Sequence, residues 1–173
     1  MFSRPKIAVE DFEAQAMPHL ASLFRSAFLL TRDRSVAEDL VQEAYLEAWK
    51  SFHRFEAGTN CKAWLFKIMF NRLHHHRRRL NRLSELQEPL VDDDFRAEPP
   101  VPQEIQDEEI LGALEKIPVE FREAVLMADV EDFSYREIAE TLRVPLGTVM
   151  SRLSRGRRLL REELAGVASQ YGI

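Results

Sequence analysis

Apolar residues along this chain recur at intervals of three and four rather than two, in stretches separated by polar or proline-bearing breaks, so the pattern predicts an all-α fold. Phe12, Leu20, Phe24, Ala27 and Phe28 form the first stripe. Pro18 is expected to start its main helix, because proline has no N–H to waste in a first turn. After the polar break Thr31-Arg32-Asp33-Arg34, Ser35 and Glu38 stand at capping-box spacing and open a helix through about Phe52. Val36, Leu40, Ala44, Tyr45, Ala48 and Phe52 form its inner stripe, and Asp39, Gln42, Glu43 and Glu47 its acidic outer face. That face reads as solvated surface or as a docking site for a partner.

The stretch His53 to Asn60 is too polar and turn-rich for helix, and Gly58 with Thr59 or Asn60 prepares another start. From about Cys61 to Arg79 the period returns, with Leu65, Ile68 and Phe70 as core and Lys62, Trp64 and Lys67 as candidate contacts beside Asn71 and Arg72. Aromatic rings next to cations and amides suit single-stranded nucleic acid, which needs stacking and phosphate pairing side by side. Periodicity then dissolves between about Leu83 and Asp107, where Pro89, Pro99, Pro100 and Pro102 stand among acids, as in an extended linker. Ile110, Leu111, Leu114 and Ile117 resume it, and Pro118 starts a further helix whose Phe121, Val125 and Leu126 should pack against the C-terminal helices.

Ser134 with Glu137 forms a second capping-box pattern, and Ile138, Ala139 and Leu142 continue it as a short helix. Val144-Pro145-Leu146-Gly147 stops that helix, and another is expected from about Thr148. Val149, Leu153, Gly156, Leu160 and Leu164 share one face of it, while Ser151, Ser154, Arg155 and Arg158 share the opposite one. Five arginines and no acid lie between Gly147 and Arg161. A short helix, a tight turn and a basic second helix are the sequence form of a helix-turn-helix, whose second helix enters the major groove. The rival reading is a helical hairpin with a solvated arginine face.

Charge sharpens the division into modules. The 173-residue chain carries net −5, yet residues 1–80 hold 13 cations against 9 acids, residues 81–109 hold 2 against 10, and residues 110–173 hold 9 against 10. The acidity sits in the middle and leaves the basic helices free for DNA. Cys61 is the only cysteine, which rules out an intrachain disulfide and zinc sites built on several cysteines. His74, His75 and His76 are adjacent on a helix and point in different directions, so a shared metal is not expected. Asp92, Asp93 and Asp94 have neither paired histidines nor a glycine-rich loop with them, which leaves a metal-dependent hydrolase without a site. With no bilayer-length apolar run and no signal-like start, a cytoplasmic, non-enzymatic protein with no cofactor, no metal and no membrane insertion is expected.

Three stretches carry a resemblance: AEDLVQEAYLEAW, then GTNCKAWLFKI, then LEKIPVEFREAVLMADVEDFSYREIAETLRVPLGTVMSRLSRGRRLLR. In that order and spacing the chain resembles the sigma-70 family of RNA polymerase initiation factors, in its small extracytoplasmic function (ECF) group, over roughly residues 10–80 and 108–165. The resemblance implies a region 2 domain over residues 1–80, an acidic linker over 81–108 and a region 4 domain over 109–173. It implies docking of Asp39, Leu40, Gln42 and Glu43 on the clamp helices of the core polymerase's largest subunit, with region 4 towards the flap. Phe55, Asn60, Lys62, Trp64, Lys67 and Asn71 would engage and open the −10 element, where a flipped base is read. Thr148 would cap the recognition helix beside a phosphate, Met150, Ser151, Ser154 and Arg155 would face the −35 bases, and Arg157 and Arg158 would hold phosphates. An anti-sigma factor is the further partner implied.

Many relatives carry arginine where this chain has Met150, so a guanine contact open to them is missing here. GTNCKAWL and ADVEDFSYREIAE are similar to the branch that answers thiol-oxidative stress under a zinc-containing anti-sigma factor. A helix-turn-helix regulator acting without polymerase is the alternative function.

Overall fold

The computed structural model describes residues 9–86 and 108–170, all of whose regular elements are helical. By its contacts the chain divides into two units, one of residues 9–27 and 33–86, the other of residues 28–32 and 108–170. Most of the linker expected over 81–108 lies outside the described residues.

In the first unit, α1 (Val9–Ala16) leads through a 3-10 turn (Met17–His19) into α2 (Leu20–Thr31), whose residues 20–27 belong to this unit. Pro18 therefore sits in the turn rather than opening the main helix. Next, α3 spans Arg34–Ser51 and is followed by a second 3-10 turn, Phe52–Arg54. Its cap is Asp33 and not Ser35: Asp33 is extended, and its carboxylate accepts the Val36 N–H at 3.0 Å. Ser35 is already the second helical residue, and Glu38 pairs with Arg34 at 2.8 Å.

The last helix of this unit, α4, runs over Cys61–Leu86, so residues 81–86 continue the helix where the linker was expected to begin. α3 turns Ala37, Ala44 and Ala48 inward, and α4 opposes them with Leu65, Phe66, Met69, Phe70 and Leu73, all essentially without exposure. Small residues against large ones are what lets two helices interdigitate at close packing.

In the second unit, α5 (Glu108–Lys116) and α6 (Val119–Val125) meet at Pro118. Arg122 satisfies the carbonyls at the end of α5: its Nε donates to Leu114 at 2.7 Å, and its Nη2 to Glu115 at 2.7 Å and Ile117 at 3.0 Å. α6 loosens into a π turn (Leu126–Val130) before α7 (Tyr135–Leu142) and α8 (Leu146–Gln170). α8 packs on α5, α6 and α7. At Gly156 the approach to α6 is so close that a Cβ would meet Val125 Cγ2 at 2.7 Å and Phe121 Cβ at 3.2 Å.

Candidate nucleic-acid interface

The start of α7 is built as its spacing predicts. Ser134 Oγ accepts from the Glu137 N–H at 3.2 Å, and Glu137 Oε2 accepts from the Ser134 N–H at 2.9 Å. The helix closes on Arg143, which takes the left-handed conformation with φ 55°, and Val144 N–H returns to Ala139 O at 3.1 Å. Pro145 then lies immediately outside α8, where its missing N–H is not needed, and its carbonyl accepts from Thr148 at 3.0 Å and Val149 at 3.2 Å. The second helix thus begins at Leu146, two residues before the expected start. Thr148 is a first-turn residue rather than the cap.

On α8, Val149 and Leu153 are buried with Gly156, which fixes the helix's rotation. Met150, Ser151, Ser154, Arg155 and Arg158 consequently stand exposed. Ser151 Oγ donates back to Thr148 O at 3.0 Å, and Arg158 lies 4.0 Å from Glu162, both side chains in solvent. Arg157, expected on a phosphate, is ion-paired within its own unit. Its Nε and Nη2 hold the two carboxylate oxygens of Asp129 at 3.0 and 2.7 Å. Hydrogen bonds to Asp129 and Tyr135 push its pKa further up, so the guanidinium is a fixed cation facing the α6–α7 connection. Sequence spacing carried no sign of this pair, because Asp129 is 28 residues away.

In the first unit, Asn60 is a capping residue: its side-chain oxygen accepts from the Ala63 N–H at 3.1 Å. Gly58, at φ 87°, makes the turn before it, closed by Thr59 on Glu56 O. Trp64 lies in an aromatic cluster, 5.0 Å from Phe55 and 6.3 Å from Phe52, and Phe52 continues the cluster to Phe12 at 5.2 Å. Phe55 and Trp64 are half-buried, their rings tilted 42° to each other, and Phe55 stacks on Phe52 at 5.7 Å. Lys62 lies over the Phe66 ring, Lys67 is exposed one turn on, and Asn71 is half-buried. The candidate −10 residues therefore share the first three turns of α4 and the loop before it.

Asp39, Gln42 and Glu43 are exposed on α3, but Leu40 is buried at 5% exposure and belongs to the core beneath that face. This corrects the contact expected of Leu40, which points inward because it shares the stripe of Ala37, Ala44 and Ala48. Leu46, 55% exposed, takes its place as the apolar group of the outer face. Its signal was present in the spacing, since residues 39, 42, 43 and 46 stand at i, i+3, i+4 and i+7 on one helix face. Glu47 is engaged with Arg72 at 3.0 Å.

Among the described residues no three His, Cys, Asp or Glu side chains are arranged to hold a metal. Cys61 is buried, which pushes its thiol pKa up. His74 packs edge-on against Phe70. No described helix is long and apolar enough to cross a membrane.

Residues 16–83 match the family model for sigma-70 region 2, and residues 107–160 that for sigma-70 region 4. The chain is 36% identical over 168 residues to the ECF RNA polymerase sigma factor SigE of Mycolicibacterium smegmatis, covering 94% of this chain and 65% of that relative's length. It is 32% identical to the ECF RNA polymerase sigma factor EcfG of Rhodopseudomonas palustris, over 88% of this chain and 83% of that one. A chain in the co-crystal of the sigma factor RpoE with the anti-sigma factor NepR from Bartonella quintana superposes with a TM-score of 0.80 at 30% identity, covering 91% of this chain and 98% of that one.

Proposed function

From the premise that this chain belongs to the ECF group of sigma-70 RNA polymerase sigma factors, we propose that it is the specificity subunit that brings core polymerase to its promoters and helps open them. The observation that carries the reading is the α7–α8 pair. A capped short helix and a left-handed turn present the exposed Met150, Ser151, Ser154, Arg155 and Arg158 on a helix whose opposite stripe is buried. That geometry suits entry into a major groove at the −35 element, with Arg155 towards a base edge and Arg158 on a phosphate. Arg157 holds the helix to the α6–α7 connection instead.

The start of α4 would engage the −10 element. Phe55 and Trp64 offer partly open rings for an unstacked base, Lys62 and Lys67 offer phosphate contacts, and Asn60 and Asn71 flank them. Asp39, Gln42 and Glu43, with Leu46 among them, form the surface for the polymerase clamp helices. The chemistry of RNA synthesis belongs to the polymerase, and this chain contributes binding and melting.

Control by an anti-sigma factor is supported by the similarity to RpoE, which was crystallised with one. The finer placement in the thiol-oxidative-stress branch rests on the wording GTNCKAWL and ADVEDFSYREIAE. Since Cys61 is buried and its thiol pKa raised, the thiol-sensing chemistry in that reading lies on the anti-sigma partner.

Run-off transcription with purified core polymerase, on a pool of promoter fragments from the source genome, tests the proposal. Specific transcripts that require the chain support it and disclose both promoter elements. Polymerase-independent binding to duplex DNA without any transcript would replace it with the regulator reading.

A further inference from the structure

The first two turns of α8 are unusual for a base-reading surface. Between Leu146 and Ser154 the exposed positions are Leu146, Gly147, Met150, Ser151 and Ser154. Arg152, the cation of this stretch, is half-buried; neither a cation nor an amide is among the exposed positions, so none of these can make the bidentate contacts that select guanine or adenine. Leu146 and Met150 stand one turn apart at 51% and 54% exposure and form a continuous apolar edge. Ser151 is already turned back to Thr148 O, and Gly147 presents no side chain.

The N-terminal residues of a recognition helix are the ones that reach base edges. On the major-groove side of a base pair, the group that rewards an apolar contact is the C5-methyl of thymine. Resting on the assignment of α8 to the −35 element, we infer that Met150 and Leu146 select thymine there by contact with its C5-methyl. Arg155, exposed one turn further on, keeps the polar reading.

A partly exposed methionine and leucine on a soluble helix lose little by standing in water singly, but together they form an edge whose only complement in the groove is another apolar group. Arg155 and Arg158 on the same helix bring the DNA to them. Methionine also adapts its unbranched chain to the position of the methyl, so one or two thymine positions can be served by the same pair.

Deoxyuridine differs from thymine only by the missing methyl and keeps every hydrogen bond. The test is therefore run-off transcription by the reconstituted holoenzyme on its own promoter, with thymines of the −35 element replaced singly by deoxyuridine on either strand. One or two positions should lose about four-fold in promoter affinity, the worth of one methyl removed from water. Met150→Ala or Leu146→Ala should weaken the thymine template and abolish the difference between thymine and deoxyuridine at those positions. Met150→Arg should move the preference there towards guanine. Equal transcription from thymine and deoxyuridine templates throughout the −35 element overturns the inference while leaving the sigma-factor reading intact. A chain that supports no transcription from any template overturns that reading, and the inference with it.

Discussion

Arg157 on α8 holds both carboxylate oxygens of Asp129, at 3.0 and 2.7 Å, across the turn that joins α6 to α7. An arginine in a basic run thus ties α8 to the α6–α7 connection of its own unit. Both side chains remain more than a third exposed, so screening limits the pair to at most about 1 kcal/mol.

The pair separates two kinds of arginine on one helix. Arg158→Ala should lower the slope of log K against log salt for promoter DNA by about 0.9, the loss of one phosphate contact. Arg157→Ala should leave that slope unchanged and lower the melting temperature slightly, and the double variant with Asp129→Ala should cost no more than either single one. Binding titrations over a salt series, with thermal melts alongside, distinguish these outcomes. An equal drop in slope for Arg157→Ala would return it to the phosphate contacts.

Gly156 and Gly147 predict opposite responses to the same substitution. Alanine at Gly156 would press on Val125 Cγ2 at 2.7 Å and on the Phe121 carbonyl at 3.2 Å, so the chain should lose about 1–3 kcal/mol. Alanine at Gly147, which has nothing within 4 Å of its would-be Cβ, should gain up to about 1 kcal/mol of helix propensity. Urea denaturation of the two variants settles the difference, and a stabilised Gly156→Ala would contradict the close approach of α6 and α8.

Asp33→Ala should destabilise the first unit by about 1 kcal/mol by removing the cap of α3. Ser35→Ala should change stability by less than about 0.5 kcal/mol, as an exposed substitution away from special features. Denaturant midpoints for the two single variants check this, and the reverse order would restore Ser35 as the cap.

On α3, Glu43→Lys and Leu46→Asp should each weaken association with core polymerase roughly ten-fold or more while leaving the melting temperature near that of the parent, because both side chains are in solvent. Leu40→Asp should instead unfold the first unit, since it buries an unpaired charge. Polymerase pull-downs read against circular-dichroism melts distinguish surface from core. Undiminished binding by both surface variants would remove α3 from the docking site.

Cys61 should react slowly with alkylating agents at neutral pH, and faster only as pH rises above the ordinary thiol range, because burial disfavours the thiolate. The folded pKa is raised, so the associated stability is complete below the unfolded thiol's pKa and declines as pH passes the folded one. Alkylation rates from pH 7 to 10, in native and denatured protein, measure the shift. Equal rates in both states would show that the thiol is not protected.

Much of this protein was legible one residue at a time. Period, caps and proline placed the helices, because helix faces and ends are decided by neighbours three and four positions away. Ser134 and Glu137 meet as their spacing requires, and Val149, Leu153 and Gly156 face inward as their period requires. The motif blocks identified the family by order and spacing. What local pattern could not decide was choice among equivalents. Asp33 and Ser35 could each have capped α3, Leu40 could have been an edge or a core residue, and any of five arginines could have faced DNA. Those choices were made by tertiary packing. Burial of the alanine stripe decided for Leu40 between its two readings and kept it in the core, and the fold carried Asp129 back across 28 residues to take Arg157. A long-range pair leaves no period in the sequence, because its geometry exists only once α6, α7 and α8 have packed together.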